Sequence, residues 1–167
     1  MIPFHRLSYL STPFCFLYSS TAEMFFVFRA MWTRFLCRLS TLSSAEEGAV
    51  QLAHAFESLL AARAPKLVYR MAQLGVRALQ CGAFGWIVSG FAGALDVEQV
   101  LLLWDRLLAH QSLQLLPVLA AAIFTWRSRS IMAARSADEV HELMRQLANL
   151  KVVPLLQHFL FNESPGL

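Results

Sequence analysis

The side chains that could do chemistry are few and widely spaced. Five histidines, His5, His54, His110, His141 and His158, stand far apart. None pairs with another at metal-ligand spacing, and no H-E-x-x-H occurs. Three cysteines, Cys15, Cys37 and Cys81, show neither CxxC nor ligand spacing. Such an odd, sparse set suits a reducing compartment and buried small hydrophobes better than a disulfide framework. No G-x-S-x-G elbow and no G-x-x-x-x-G-K-[ST] phosphate loop is present. The central acids are Asp96, Glu98 and Asp105. Asp96 stands where a helix cap belongs. Asp105, beside Arg106, lies on a Leu- and Trp-rich stretch, where a structural hydrogen bond or ion pair is the expected use. These residues point to no catalytic, cofactor-binding or metal site.

Composition narrows the class. Of 167 residues, 57% are hydrophobic and 15% charged, against about 45–50% and about 25% in ordinary globular domains. Such a chain is a membrane protein, a part of a larger domain, or a domain with a foreign tail. The net charge of +3 comes from scattered Lys and Arg; no basic patch suited to nucleic acid is formed. The apolar run 113–126 is shorter than the roughly 20 residues a span requires. It also contains Gln114 and Pro117 and is followed by Arg127 and Arg129. The longer stretch 82–104 is interrupted by Asp96 and Glu98. No stable membrane span is expected.

The elements that must carry these residues read as helices throughout. Residues 1–21 lack a period and contain Pro3 and Pro13. His5 and Arg6 before an apolar stretch loosely imitate an export signal, but Pro13 interrupts it and no small-x-small site ends it. An irregular, non-domain tail is expected there, a helical domain over 22–161, and a tail over 162–167. Phe25, Phe28, Trp32, Phe35 and Leu39 recur at helical steps. A loop follows over 40–48, then a stripe of Leu52, Phe56, Leu59 and Leu60 ended by Pro65. A short helix over 66–74 has Gly75 as its left-handed cap. Phe84, Ile87, Val88 and Phe91 mark the next. Around it, Gly82, Gly85, Gly90 and Gly93 are expected to admit close neighbours.

Asp96 and Gln99 have the spacing of a capping-box variant, with Leu95 and Val100 as a hydrophobic staple. That helix continues through Leu101, Trp104, Leu107 and Leu108. The next starts near Ser112 and is apolar nearly all round, as a central core helix should be. Ser136 and Glu139 form a second capping box. Val140, Leu143, Met144 and Leu147 face inward from it, while Glu142, Arg145 and Gln146 stay wet. Pro154 opens a last helix through Phe161. Trp86, Phe91, Leu101, Trp104, Leu108, Leu119 and Phe124 are expected to be buried together.

Phe84-Gly85-Trp86-Ile87-Val88, then Phe91 and Leu95, then Leu101-Leu102-Leu103-Trp104-Asp105-Arg106-Leu107-Leu108 resemble the C-terminal helices of a TBC domain, the module of Rab GTPase-activating proteins. The Leu59-Leu60 pair, Pro65 and the short helix ending at Gly75 resemble the passage upstream of them. The likeness covers about 30–161. It implies an all-α, orthogonal multi-helix array corresponding to the C-terminal half of the domain. It also implies a Rab-type small GTPase as partner of the parent protein, and a cytoplasmic place, at membrane surfaces through a partner.

Such domains are GTPase regulators rather than enzymes in their own right. They lend an arginine finger from Ile-x-x-Asp-x-x-Arg and a glutamine finger from Tyr-x-Gln, both from the half upstream of residue 30. Neither motif is found here. Tyr9, Tyr18 and Tyr69 are followed two places on by Ser11, Ser20 and Met71, and Leu102 and Asp105 by Leu108 where Arg is needed. The expectation is a truncated or misassembled regulator, inactive alone. A non-catalytic interaction module, or a membrane-associated protein held by its first residues, are the alternatives.

Overall fold

A computed structural model of the chain describes residues 7–41 and 46–161. Among the described residues ten α-helices run in chain order: α1 (Leu7–Cys15), α2 (Thr21–Arg34), α3 (Ala49–Arg63), α4 (Pro65–Gln73), α5 (Phe84–Val88), α6 (Val97–His110), α7 (Leu115–Trp126), α8 (Ser128–Ala133), α9 (Ala137–Arg145) and α10 (Val152–Phe161). A 3-10 turn over Leu36–Ser40 follows α2, and a π-helical turn over Leu79–Ala83 leads into α5. No strand occurs among the described residues. The all-α class expected from periodicity is the class observed.

Helix α7 is the hub. Leu116, Pro117 and every residue from Leu119 to Phe124 are buried, and α3, α5, α6, α8 and α10 all pack on it. A helix with no polar face has no side to give to water, so it gathers neighbours all round. Phe124 meets Phe56 of α3 at 5.5 Å between ring centroids and Trp86 of α5 at 5.8 Å. Trp86 in turn lies 6.0 Å from Phe91. Pro117 occupies the first turn of α7, where its missing N–H is no loss.

Local signals place most helix ends. Helix α4 closes as expected: Gly75 takes φ 72°, its N–H donates to Ala72 O and the Val76 N–H to Met71 O. These are the two bonds of a Schellman cap, and buried Met71 and Val76 sit at its two apolar positions. The same device ends α5, where Gly90 N–H donates to Ile87 O and Phe91 N–H to Trp86 O. Ser136 caps α9 by accepting from the Glu139 N–H. Glu139 reaches back to the N–H of Arg135, one residue before the expected partner.

Four expectations are corrected. Residues 7–15, expected to be irregular, form α1; Leu10 and Phe14 are buried in the core, and α1 packs on α2 and α6. Leu10 and Phe14 share a helix face at four-residue spacing, but exposed apolar Tyr9, Phe16 and Leu17 and the internal Pro13 mask the period in the sequence. Residues 1–6 and 162–167 lie outside the described residues, and so do the signal-like His5 and Arg6. On α2, Phe25 is exposed, Phe28 and Trp32 are half-buried, and Met31 is the buried residue. The inward face of α6 is Val100, Leu103, Trp104 and Leu107; Leu101 is half-buried and Leu108 exposed. Periodicity alone admits two adjacent stripes on so apolar a helix, and packing selected one. Finally, Asp96 stands at the N-cap of α6 but its side chain accepts no cap hydrogen bond. Trp86, Phe91, Trp104, Leu119 and Phe124 are buried as expected.

Candidate functional site

An arginine offered to a partner must have its guanidinium free. Several arginines here are instead engaged with carbonyls at helix ends, which carry partial negative charge and lack intrahelical donors. Arg70 of α4 donates to Ala134 O, 2.7 Å away, beyond α8. Arg127 donates to Leu143 O at 2.7 Å and also to Gln146 O, both at the end of α9. Burial pulls its guanidinium below the usual arginine range. Arg63 of α3 donates to Phe159 O at 3.2 Å and lies over the Phe159 ring. Three arginines thus clamp α8, α9 and α10.

Two buried polar groups perform the complementary task at helix starts. The Glu47 carboxylate accepts from the Leu113 N–H at 3.0 Å and from the Ser112 hydroxyl, and pairs with Arg38 at 2.9 Å. It ties the 3-10 turn to the α6–α7 corner. Gln99, expected to cap its own helix, turns away from it. Its side-chain oxygen accepts from the Val152 N–H at 3.0 Å, at the first residue of α10. Neither role has a local sequence signal, since the partners lie 66 and 53 residues downstream.

A cleft of about 660 Å³ lies between α9 and the turn leading into α5. Tyr9, Cys81, Trp86, Ser89, His141 and Arg145 are among the side chains lining it. Gly93 lets the Tyr9 ring lie on the backbone, where a Cβ would stand 2.6 Å from it. Burial pushes the Cys81 thiol up to about 11, with Arg145 opposing the shift. A thiol so placed is protonated at neutral pH and is not a nucleophile. The Ser89 hydroxyl donates to Trp86 O in its own helix. Arg145 pairs with Glu142 at 3.7 Å, both exposed. The cleft offers shape and some positive charge, with no base set against a nucleophile.

The residues singled out from sequence fall in separate places. Arg106 donates to Leu102 O of its own helix at 2.6 Å, and no side-chain partner of Asp105 is found among the described residues. The structural hydrogen bond or ion pair expected for Asp105 is therefore not found among the described residues. Cys15 is exposed, Cys37 half-buried and Cys81 buried, all three as free thiols. Among the described residues no group of three or more His, Cys, Asp or Glu side chains could hold a metal ion. No described helix is long and apolar enough to cross a membrane.

Comparison with known proteins gives two findings. A family model, the Rab-GTPase-TBC domain, matches residues 5–132. The human protein named TBC1 domain family member 19 is 42% identical over 161 residues, covering 96% of this chain and 30% of its own length. The chain therefore spans less than a third of this relative. No solved structure matches significantly.

Proposed function

The chain belongs to the Rab-GTPase-TBC domain family, and from that membership we propose that it is a non-catalytic helical element of a Rab GTPase regulator, contacting a Rab-type GTPase without accelerating hydrolysis. The observation that carries this reading is the fate of the arginines. Arg106, in the helix that matches the family pattern best, is folded onto the Leu102 carbonyl. Arg63, Arg70 and Arg127 hold helix ends. No tyrosine is followed by a glutamine two places on. A finger needs a guanidinium at the phosphate and a carboxamide at the attacking water, and a docking surface needs neither.

The test is single-turnover phosphate release from a panel of GTP-loaded Rab proteins, with capture of the same proteins on immobilised chain. Intrinsic hydrolysis rates together with retention of at least one Rab are expected. Acceleration that disappears on Arg106→Ala would falsify the non-catalytic assignment.

A further inference from the structure

Helix α2 is packed on one side only. Phe14 from α1 meets Phe28 at 5.5 Å between centroids, and Phe28 meets Trp32 at 6.0 Å. The Phe14–Phe28 contact and the buried Met31 hold the helix to the body. On its outer side and on the turn before it, Phe16, Leu17, Phe25 and Phe26 are each more than half exposed. Cys15 Sγ lies 3.5 Å from Met24 Sδ, which brings the end of α1 against the first turns of α2. The Phe25 and Phe26 rings stand 5.9 Å apart. Exposed apolar side chains scattered singly need no explanation, whereas a contiguous group marks an interaction surface.

Charge distinguishes the occupant. Arg29 and Arg34 lie on the exposed part of the same helix, and neither side chain has an intramolecular partner among the described residues. Glu23 in the first turn opposes them, so α2 carries one net positive charge on two cations and one anion. The group is thus an exposed apolar surface on a helix that also presents two basic residues. Exposed aromatic side chains on a helix that carries unpaired arginines match the acyl–headgroup boundary of an anionic bilayer, where rings enter the apolar layer and guanidinium groups meet phosphates.

We propose that the turn before α2 and the outer face of α2 form a peripheral membrane-binding surface selective for anionic lipid. It lies in the interface plane and spans nothing. The assignment is independent of whether the chain contacts a GTPase.

The experiment is co-sedimentation of the full chain with vesicles of phosphatidylcholine alone and of phosphatidylcholine mixed with phosphatidylserine. Binding to the mixed vesicles that weakens with added salt is expected. Arg29→Gln and Arg34→Gln should each lower the partition coefficient about fivefold on mixed vesicles. The Phe25→Ser, Phe26→Ser double variant should lower it about tenfold or more on either vesicle. Tyr69→Ser, at an exposed aromatic of α4, should leave it unchanged. Circular dichroism melts of all variants should match the parent, since the altered residues are exposed. Absence of vesicle binding by the parent, or binding indifferent to the Phe25 and Phe26 changes, overturns the proposal. So does a dimer in light scattering that the double variant dissolves while vesicles bind nothing, which would assign the face to a second copy.

Discussion

Trp104 carries both an apolar and a polar contact. Its ring packs 5.5 Å from Phe14, and its indole N–H donates to Gly90 O at 2.8 Å in a buried position. A side chain at residue 90 would crowd that approach, because a Cβ there would stand 3.1 Å from the indole nitrogen, and the φ of 56° is strained for any residue but glycine. Trp104→Phe keeps most of the bulk but leaves a buried carbonyl unpaired, at about 1–3 kcal/mol. Trp104→Ala removes the packing too, at about 3–5 kcal/mol. Glu142→Ala loses an exposed pair worth about 0–1 kcal/mol. Chemical denaturation should give Trp104→Ala the lowest midpoint, Trp104→Phe the next and Glu142→Ala one near the parent; equal midpoints would contradict it.

Cys81 makes a prediction about pH. Its folded pKa of about 11 exceeds the 9.0 of the free thiol. The folded state therefore holds its proton where the unfolded state has lost it. The stability this contributes is complete below pH 9.0 and is lost as pH rises toward about 11. The slope through that window is about 1.4 kcal/mol per pH unit. Other groups titrate there as well, so the readout is a difference. Stability of the parent should fall more steeply across the window than that of Cys81→Ala. At neutral pH a thiol reagent should modify exposed Cys15 before buried Cys81.

At the scale of elements, the helices are short and depend on their ends. Helix α6 finishes with the Ser112 N–H donating to Leu107 O and the Gln111 N–H to Leu108 O. That is again a Schellman cap, but the left-handed residue is Gln111, at φ 51°. A side chain in this region costs about 1–2 kcal/mol, part of which glycine loses again through its more flexible unfolded state. Gln111→Gly should stabilise the fold by about 0.5–1 kcal/mol. In a chain of this size that is a rise of about 1–4 °C in Tm. A lower Tm would show that the Gln111 side chain has a contact worth more than the strain it causes. The C-terminal ends of α8, α9 and α10 are instead met by distant arginines, so these helices depend on α4, α7 and α3 as much as on their own sequences.

For the whole molecule, one continuous core runs from Leu10 of α1 to Phe159 of α10. The family match begins at residue 5 and ends at 132, yet α9 and α10 join the same core. The proposed lack of catalytic power is a statement about the whole surface. A supplied arginine finger is worth on the order of 10³–10⁵ in rate, so even a poorly placed one would be visible in the phosphate-release assay. Acceleration that persisted in Arg106→Ala would direct attention to the exposed arginines of α2 and of the loop before α9.

The sequence by itself determined the helical class, the central place of α7 and the caps at Gly75 and Ser136. Each is local: a period of 3.6, a glycine after an apolar stripe, or a serine three residues before a glutamate is legible wherever it occurs. The family pattern around Trp86, Trp104 and Asp105 was legible for the same reason. Tertiary structure alone decided which stripe of α6 faces inward, that α1 docks at all, and where Glu47, Gln99 and the clamping arginines spend their hydrogen bonds. A buried polar group needs a partner, but the chain does not say which of the many exposed N–H and C=O groups at the ends of these helices will come within about 3 Å of it. Spatial packing, across separations of 53 and 66 residues, supplies that choice.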